Sequence, residues 1–196
     1  MPGSRFSEIK EHVLDKLKGL DPHYTYHNIA HTLDVLAQCE RIAASEKVAD
    51  PDDLLLLKTA AMYHDTGFLH TYAAHEQASC AIFREDAGKF GFTIAQAETI
   101  EGLIMATRVP QAPLGLLQEI ICDADLDYLA REDFYKLKDN LRKEFIHFGI
   151  VPDDAGWEAL QLKFFEAHHY HTYSSKMQRE PGKKWHFVEL LAHPRD

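Results

Sequence analysis

Long hydrophobic runs are missing from this 196-residue chain: the longest lies near Leu54 to Leu57, far short of the roughly 20 apolar residues that a membrane-spanning helix needs. The opening Met1-Pro-Gly-Ser-Arg has no apolar core of the kind a secretory signal carries, so the expected location is cytoplasmic, with no membrane partner. Cysteine is scarce. Cys39, Cys80 and Cys122 are odd in number, widely spaced and set in apolar helical patterns, which argues against a disulfide scaffold or a Cys-based zinc knot and reads as buried free thiols. Basic charge is also short, 21 Lys and Arg against 31 Asp and Glu for a net charge of −10, with no basic cluster. A long nucleic acid is therefore not the expected partner. Strand-type alternation is scarce, repeats and low-complexity segments are absent, and the expected fold class is all-α, in one domain over residues 1–196.

What is present is helical periodicity. Ile9, Val13, Leu14 and Leu17 recur at three- to four-residue spacing until Gly19. A second helix is expected from the cap Asn28 to about Lys47. Asp50-Pro51-Asp52-Asp53 starts a third, with Asp at the cap, Pro in the first turn and acidic groups at the positive end of the dipole. Its Leu54–Leu57 and Ala60–Met62 are apolar nearly all round, as befits a helix surrounded by others. After Thr66-Gly67 and a loop, helices are expected over about 74–89, 93–107 (capped by a Thr93/Gln96 box), 113–129, 131–148 and 153–170. The segment from Ser174 to Asp196 is read as a short helix that folds back or as a homodimer contact.

Thirteen histidines are many for this length, and several stand beside carboxylates. His64-Asp65 closes the apolar third helix, where an ionised carboxylate needs a partner and a divalent cation is an efficient one. In Asp123-Ala124-Asp125-Leu126-Asp127, Asp123 and Asp127 share a face expected to be solvated, and Asp125 falls beside the apolar stripe, turned inward.

Tyr26-His27-Asn28 with His31-Thr32, then Ala60-Ala61-Met62-Tyr63-His64-Asp65, then Asp123-Ala124-Asp125-Leu126 resemble the H…HD…D signature of the HD superfamily of metal-dependent phosphohydrolases. The chain is also similar to one group of HD proteins of poorly defined substrate through His75–Ser79, Leu103–Thr107 and Leu141–Phe145. The resemblance covers about residues 24–146, leaving a C-terminal extension over about 150–196. It implies His31, His64, Asp65 and Asp125 as ligands of one divalent metal, whether Mn, Fe, Ni, Co, Zn or Mg, since two imidazoles and two carboxylates form a site of intermediate hardness. It further implies hydrolysis of a phosphate ester or anhydride of a small metabolite or nucleotide by a metal-activated water. A non-catalytic nucleotide or metal sensor is the second class, and the complete ligand set favours the enzyme.

The chain departs from the better-known branches. Residues 107–111 offer no histidine for a second metal, leaving His75 as the candidate between the motifs, and Phe68-Leu69-His70 stands where other branches carry acidic groups. His70 and Glu76 are candidates to protonate the leaving oxygen or orient the water. Lys58, two turns before Asp65, is the candidate phosphate-binding cation, with Arg108 and Arg142-Lys143 as further options. His27 is read as a supporting group or pocket wall, Asp34 as a hydrogen-bond partner of His31, and His168 with His171 as sharing one helix face.

Overall fold

The computed structural model describes residues 2–192, without the side chains of 2–4. Among these residues it holds nine α-helices and no strand: α1 Pro2–Leu17, α2 Ile29–Ser45, α3 Pro51–Tyr63, α4 His75–Ala87, α5 Ile94–Ala106, α6 Leu116–Asp125, α7 Phe134–His147, α8 Asp154–Ala167 and α9 Tyr173–Ala192. Short 3-10 turns at Thr66–Leu69 and Asp127–Ala130 follow α3 and α6.

The starts of these helices are written locally. The Asn28 side chain accepts from the Ala30 amide, Asp50 accepts from the Asp52 amide with Pro51 behind it, and Thr93 and Gln96 form a reciprocal capping box. Two helices depart from their expected spans for tertiary reasons. The chain expected to run as one helix over 113–129 breaks after Asp125 into a 3-10 turn, and α8 stops at Ala167. His168 to Thr172 is consequently non-helical, so His168 and His171 do not share a helix face. Instead of a short terminal helix, α9 runs for 20 residues, and the last four residues of the chain lie outside the described part.

The helices enclose two apolar clusters. The larger is built from α1 to α6, with Val13, Cys39, Leu57, Ile104 and Ile121 fully buried; a completely buried Leu such as Leu57 contributes about 2 kcal/mol. Cys122 is buried as well, while Cys80 is half-buried, and all three thiols are free. The smaller cluster joins Tyr26 to the second 3-10 turn, α7 and α8 through Leu129, Phe134 and Phe165. Helix α9 docks on this second turn by directed bonds: His186 Nδ1 pairs with the Leu129 carbonyl at 2.9 Å, and the Arg179 guanidinium donates to both oxygens of Asp127 at 2.8 and 2.9 Å. A cavity of about 430 Å³ opens beside the smaller cluster, whose Tyr26, Leu129 and Phe165 help to line it.

Candidate metal centre

The HD pair lies just past the end of α3. Asp65 has φ −107° and ψ 5°, and this relaxed backbone lets two adjacent side chains turn to one point, which a continuing helix would forbid. Gly67 and Ser79 fix the turn. A Cβ on Gly67 would sit 1.9 Å from the His75 carbonyl oxygen, so only glycine allows α4 this close. The Gly67 amide donates to Ser79 Oγ at 2.8 Å, and that hydroxyl donates to the His64 carbonyl at 2.6 Å. The first turn of α4 is thus tied to the HD pair.

Four donor atoms converge from α2, the α3 end and the α6 end. His31 Nε2 lies 3.1 Å from Asp125 Oδ1 and 3.3 Å from Asp65 Oδ2. His64 Nε2 lies 3.2 Å from Asp65 Oδ2 and 3.6 Å from Asp125 Oδ1. The two Nε2 atoms are only 3.4 Å apart. His64 Nδ1 sits 2.8 Å from the Ala61 carbonyl, which assigns the ring proton to that nitrogen and leaves the Nε2 lone pair facing the cluster. His31, His64 and Asp65 are all buried. Asp65 Oδ2, close as it is to both rings, is buried with no hydrogen-bond partner.

This arrangement fits a divalent cation. Two neutral imidazoles and two carboxylates carry two negative charges into a desolvated pocket, and a dication offsets both while giving the orphaned Asp65 oxygen its partner. Without a metal the rings take up protons instead. Burial by itself would hold His31 down, but a hydrogen bond to Asp125 and the charges of Asp65 and Asp125 raise it to about 9. His64 is raised well above its ordinary value by the same two carboxylates against the same burial. Asp125 is opposed by burial yet drawn down to about 2 by His31 and His64.

Around the four, Asp65 and Asp125 line the cavity while the imidazoles stand behind them. Glu76, buried, also faces the cavity, with Oε1 3.6 Å from His75 Nε2. His75 Nε2 is in turn 3.5 Å from Asp65 Oδ1, and its Nδ1 faces the Tyr72 carbonyl at 3.3 Å. His27 forms part of the wall and pairs with buried Glu144, which also accepts from the amides of Tyr26 and His27 and from the Tyr72 hydroxyl. Arg108 reaches the rim.

Several expectations are corrected by this geometry. Lys58 is turned away: its Nζ pairs with Glu40 at 2.9 Å and covers the Phe6 ring. Its helical register with Asp65 is lost because α3 ends at Tyr63. His70 is exposed and does not line the cavity. Asp34 does not hold His31; both its oxygens accept from Arg131 Nη1, at 2.8 and 2.7 Å. Arg142 and Lys143 are engaged by Asp139 on their own helix.

The solvated face assigned to Asp123 and Asp127 is likewise corrected, for both are fully buried. Asp127 is neutralised by Arg41 and Arg179. Asp123 accepts from the His171 and Thr172 amides and the Thr172 hydroxyl at 2.7 to 2.8 Å, so it anchors the α8–α9 connection. Replacing Asp123 with Ala should lower unfolding free energy by about 1 to 3 kcal/mol, because buried donors lose their acceptor, while metal stoichiometry stays that of the wild type. Loss of metal from Asp123→Ala with its fold intact would move the ligand role from Asp125 to Asp123.

The HD-domain family pattern matches residues 28–129, more than half of the chain and all four converging side chains. The chain belongs to the HD-domain family. No curated protein and no solved structure matches it.

Proposed function

We propose that this protein is a metal-dependent phosphohydrolase, releasing phosphate from a small phosphorylated molecule with one divalent cation held by His31, His64, Asp65 and Asp125. The observation that carries this reading is the convergence of four donor atoms, one of them the orphaned Asp65 Oδ2, beside a cavity that the two carboxylates face. When bound, a cation there acidifies a coordinated water and polarises the phosphoryl group.

The protein's own groups supply the rest. Arg108 at the rim meets the phosphate charge. His75, with Nε2 3.5 Å from Asp65 Oδ1 and 3.6 Å from Glu76 Oε1, accepts a proton from the attacking water. Glu76, lining the cavity with Oε1 3.6 Å from His75 Nε2, relays that proton from His75 to the leaving oxygen. Tyr26, Phe68 and Tyr72 exclude bulk solvent from this end. The four-residue cluster contains no Ser, Thr or Cys, and Asp65 as a ligand would have its charge drawn toward the cation, so direct attack by water, without a phosphoenzyme, is the mechanism proposed.

The test is hydrolysis in heavy-oxygen water under single-turnover conditions with Mn²⁺, Co²⁺, Ni²⁺ or Mg²⁺ added. Label should enter the released phosphate and be absent from the Asp65 peptide. Label in that peptide overturns direct attack. Failure to release phosphate from any of a broad panel of esters and anhydrides with all four metals overturns the enzyme reading and brings the metal-binding sensor forward.

A further inference from the structure

The cavity walls differ sharply in character. Every titratable group that lines it, His27, Asp65, His75, Glu76, Arg108 and Asp125 apart from two tyrosines near them and Tyr128, comes from the segments around the HD cluster or its rim. Helices α7 and α8 add Leu141, Phe145, Leu160, Phe164 and Phe165, which present hydrocarbon alone. These residues lie beyond the matched family pattern, which ends at 129. The chemistry and the wall that would select a substrate thus come from different parts of the chain.

Charge limits what this cavity can hold. Arg108 is the one Lys or Arg side chain lining it among the described residues. A polyphosphate brings several further negative charges, and with the other nearby cations engaged elsewhere, a di- or triphosphate tail would lie against apolar walls without compensation. A single phosphate is matched. The apolar wall, by contrast, gains from burying hydrocarbon or an aromatic ring, and a volume of about 430 Å³ falls among pockets of about 300 to 1,000 Å³ that enclose whole small molecules.

Two polar groups interrupt the apolar wall. Gln161 lines the cavity, is only 7% exposed and makes no side-chain hydrogen bond, and one turn earlier on α8 the indole N–H of Trp157 is buried without a partner. A buried donor left unpaired, as the Trp157 indole N–H is, costs about 1 to 3 kcal/mol, a cost that a ligand acceptor removes.

Resting on the hydrolase reading above, we propose that the substrate is a phosphomonoester of a flat, apolar alcohol of about two fused rings that carries a hydrogen-bond acceptor at its far end. The phosphate lies at the HD cluster and the rings lie against the apolar lining of α7 and α8, Phe145 and Phe164 included. In the reaction the water oxygen bonds to phosphorus, the ester P–O bond breaks toward the alcohol oxygen, and the water's proton ends on that oxygen, giving free alcohol and inorganic phosphate. Polyphosphates are poor substrates by the same charge argument.

The test separates binding from turnover. On the Mn²⁺-loaded protein, calorimetry should show 1-naphthylmethylphosphonate, which cannot be hydrolysed, binding about tenfold or more tightly than methylphosphonate or ATP. 1-Naphthyl phosphate should exceed glycerol 2-phosphate in kcat/KM by a similar factor. Leu160→Asp, at a position 39% exposed and so tolerant of charge, should erase both preferences. A 6-methoxy substituent on 2-naphthyl phosphate should improve kcat/KM in the wild type and lose that benefit in Gln161→Leu. Tight phosphonate binding with no ester cleaved leaves the pocket assignment standing and sinks the hydrolase reading. Equal binding of the three probes, with glycerol 2-phosphate or ATP cleaved as well as naphthyl phosphate, overturns the pocket assignment and leaves the hydrolase reading intact.

Discussion

Asp65→Ala is expected to abolish metal binding and reduce phosphate release by a factor of about 10³ or more, since Lewis-acid stabilisation is worth several kcal/mol and each 1.36 kcal/mol is about tenfold in rate. The reason is positional. Asp65 Oδ2 stands 3.3 and 3.2 Å from the Nε2 atoms of His31 and His64, so its removal takes away the donor common to both rings. Metal content after dialysis against a stoichiometric cation should fall from about one per chain to none, while far-UV circular dichroism keeps its helical form. A variant that retains the cation would exclude Asp65 as a ligand.

Proton linkage supplies an independent reading of the same site. In the metal-free protein His31 is raised from 6.5 to about 9 by Asp125 and Asp65 against its own burial. A pKa raised by folding adds stability that is complete below about pH 6.5 and is lost as the pH climbs through about 9. A ligand imidazole must be neutral, so cation binding near neutral pH expels protons and its affinity rises with pH until His31 is deprotonated unaided. Calorimetric titration in buffers of different ionisation enthalpy measures that release. Binding with no proton release would place the cation away from His31.

What the sequence disclosed was whatever one segment decides alone. Asn28, Asp50-Pro51 and Thr93/Gln96 cap helices through partners within a few residues, and the apolar α3 is buried because all its faces read the same way. The His64-Asp65 pair and Asp125 stood out beside apolar stretches, while His31 and the set of four were legible through their likeness to the H…HD…D pattern. What escaped depended on remote partners. Asp123 looks solvated until Thr172, 49 positions on, bonds to it, and Asp127 until Arg41, 86 positions back, does so. Lys58 was assigned by a helical register that stops at Tyr63. His75 and Arg108 gave only the weak signals of a polar residue at a helix start and a cation at a helix end, and no local pattern announced that α7 and α8 would wall the cavity.

Glu144 is the sharpest case of such hidden dependence, and its loss should be the most damaging to the fold. It sits on α7 with a fully buried side chain, paired with His27 Nδ1 and accepting from the Tyr26 and His27 amides at 2.9 and 3.0 Å and from the Tyr72 hydroxyl at 3.1 Å. The approach to α2, and with it the placement of His31 one turn on, hangs on this one carboxylate. Burial alone would raise its pKa, but the charge of His27 and these bonds hold it below the usual glutamate value. A carboxyl pKa lowered by folding contributes stability above the ordinary carboxylate range that is lost as the pH falls through the native value. Glu144→Ala strands a partly buried imidazole, two amides and a hydroxyl, so it should cost about 3 kcal/mol, the low end for breaking a buried ion pair. Glu144→Gln keeps an acceptor for the amides but no charge for His27, and should lose about half as much. Urea unfolding at pH 7 measures both, and the gap between Glu144→Gln and wild type should narrow as the pH drops toward the native carboxyl pKa. A Glu144→Ala variant as stable as wild type, with unchanged metal affinity, would show that the α2 approach is held by the packing of Tyr26 against Tyr128 and His31 rather than by this carboxylate.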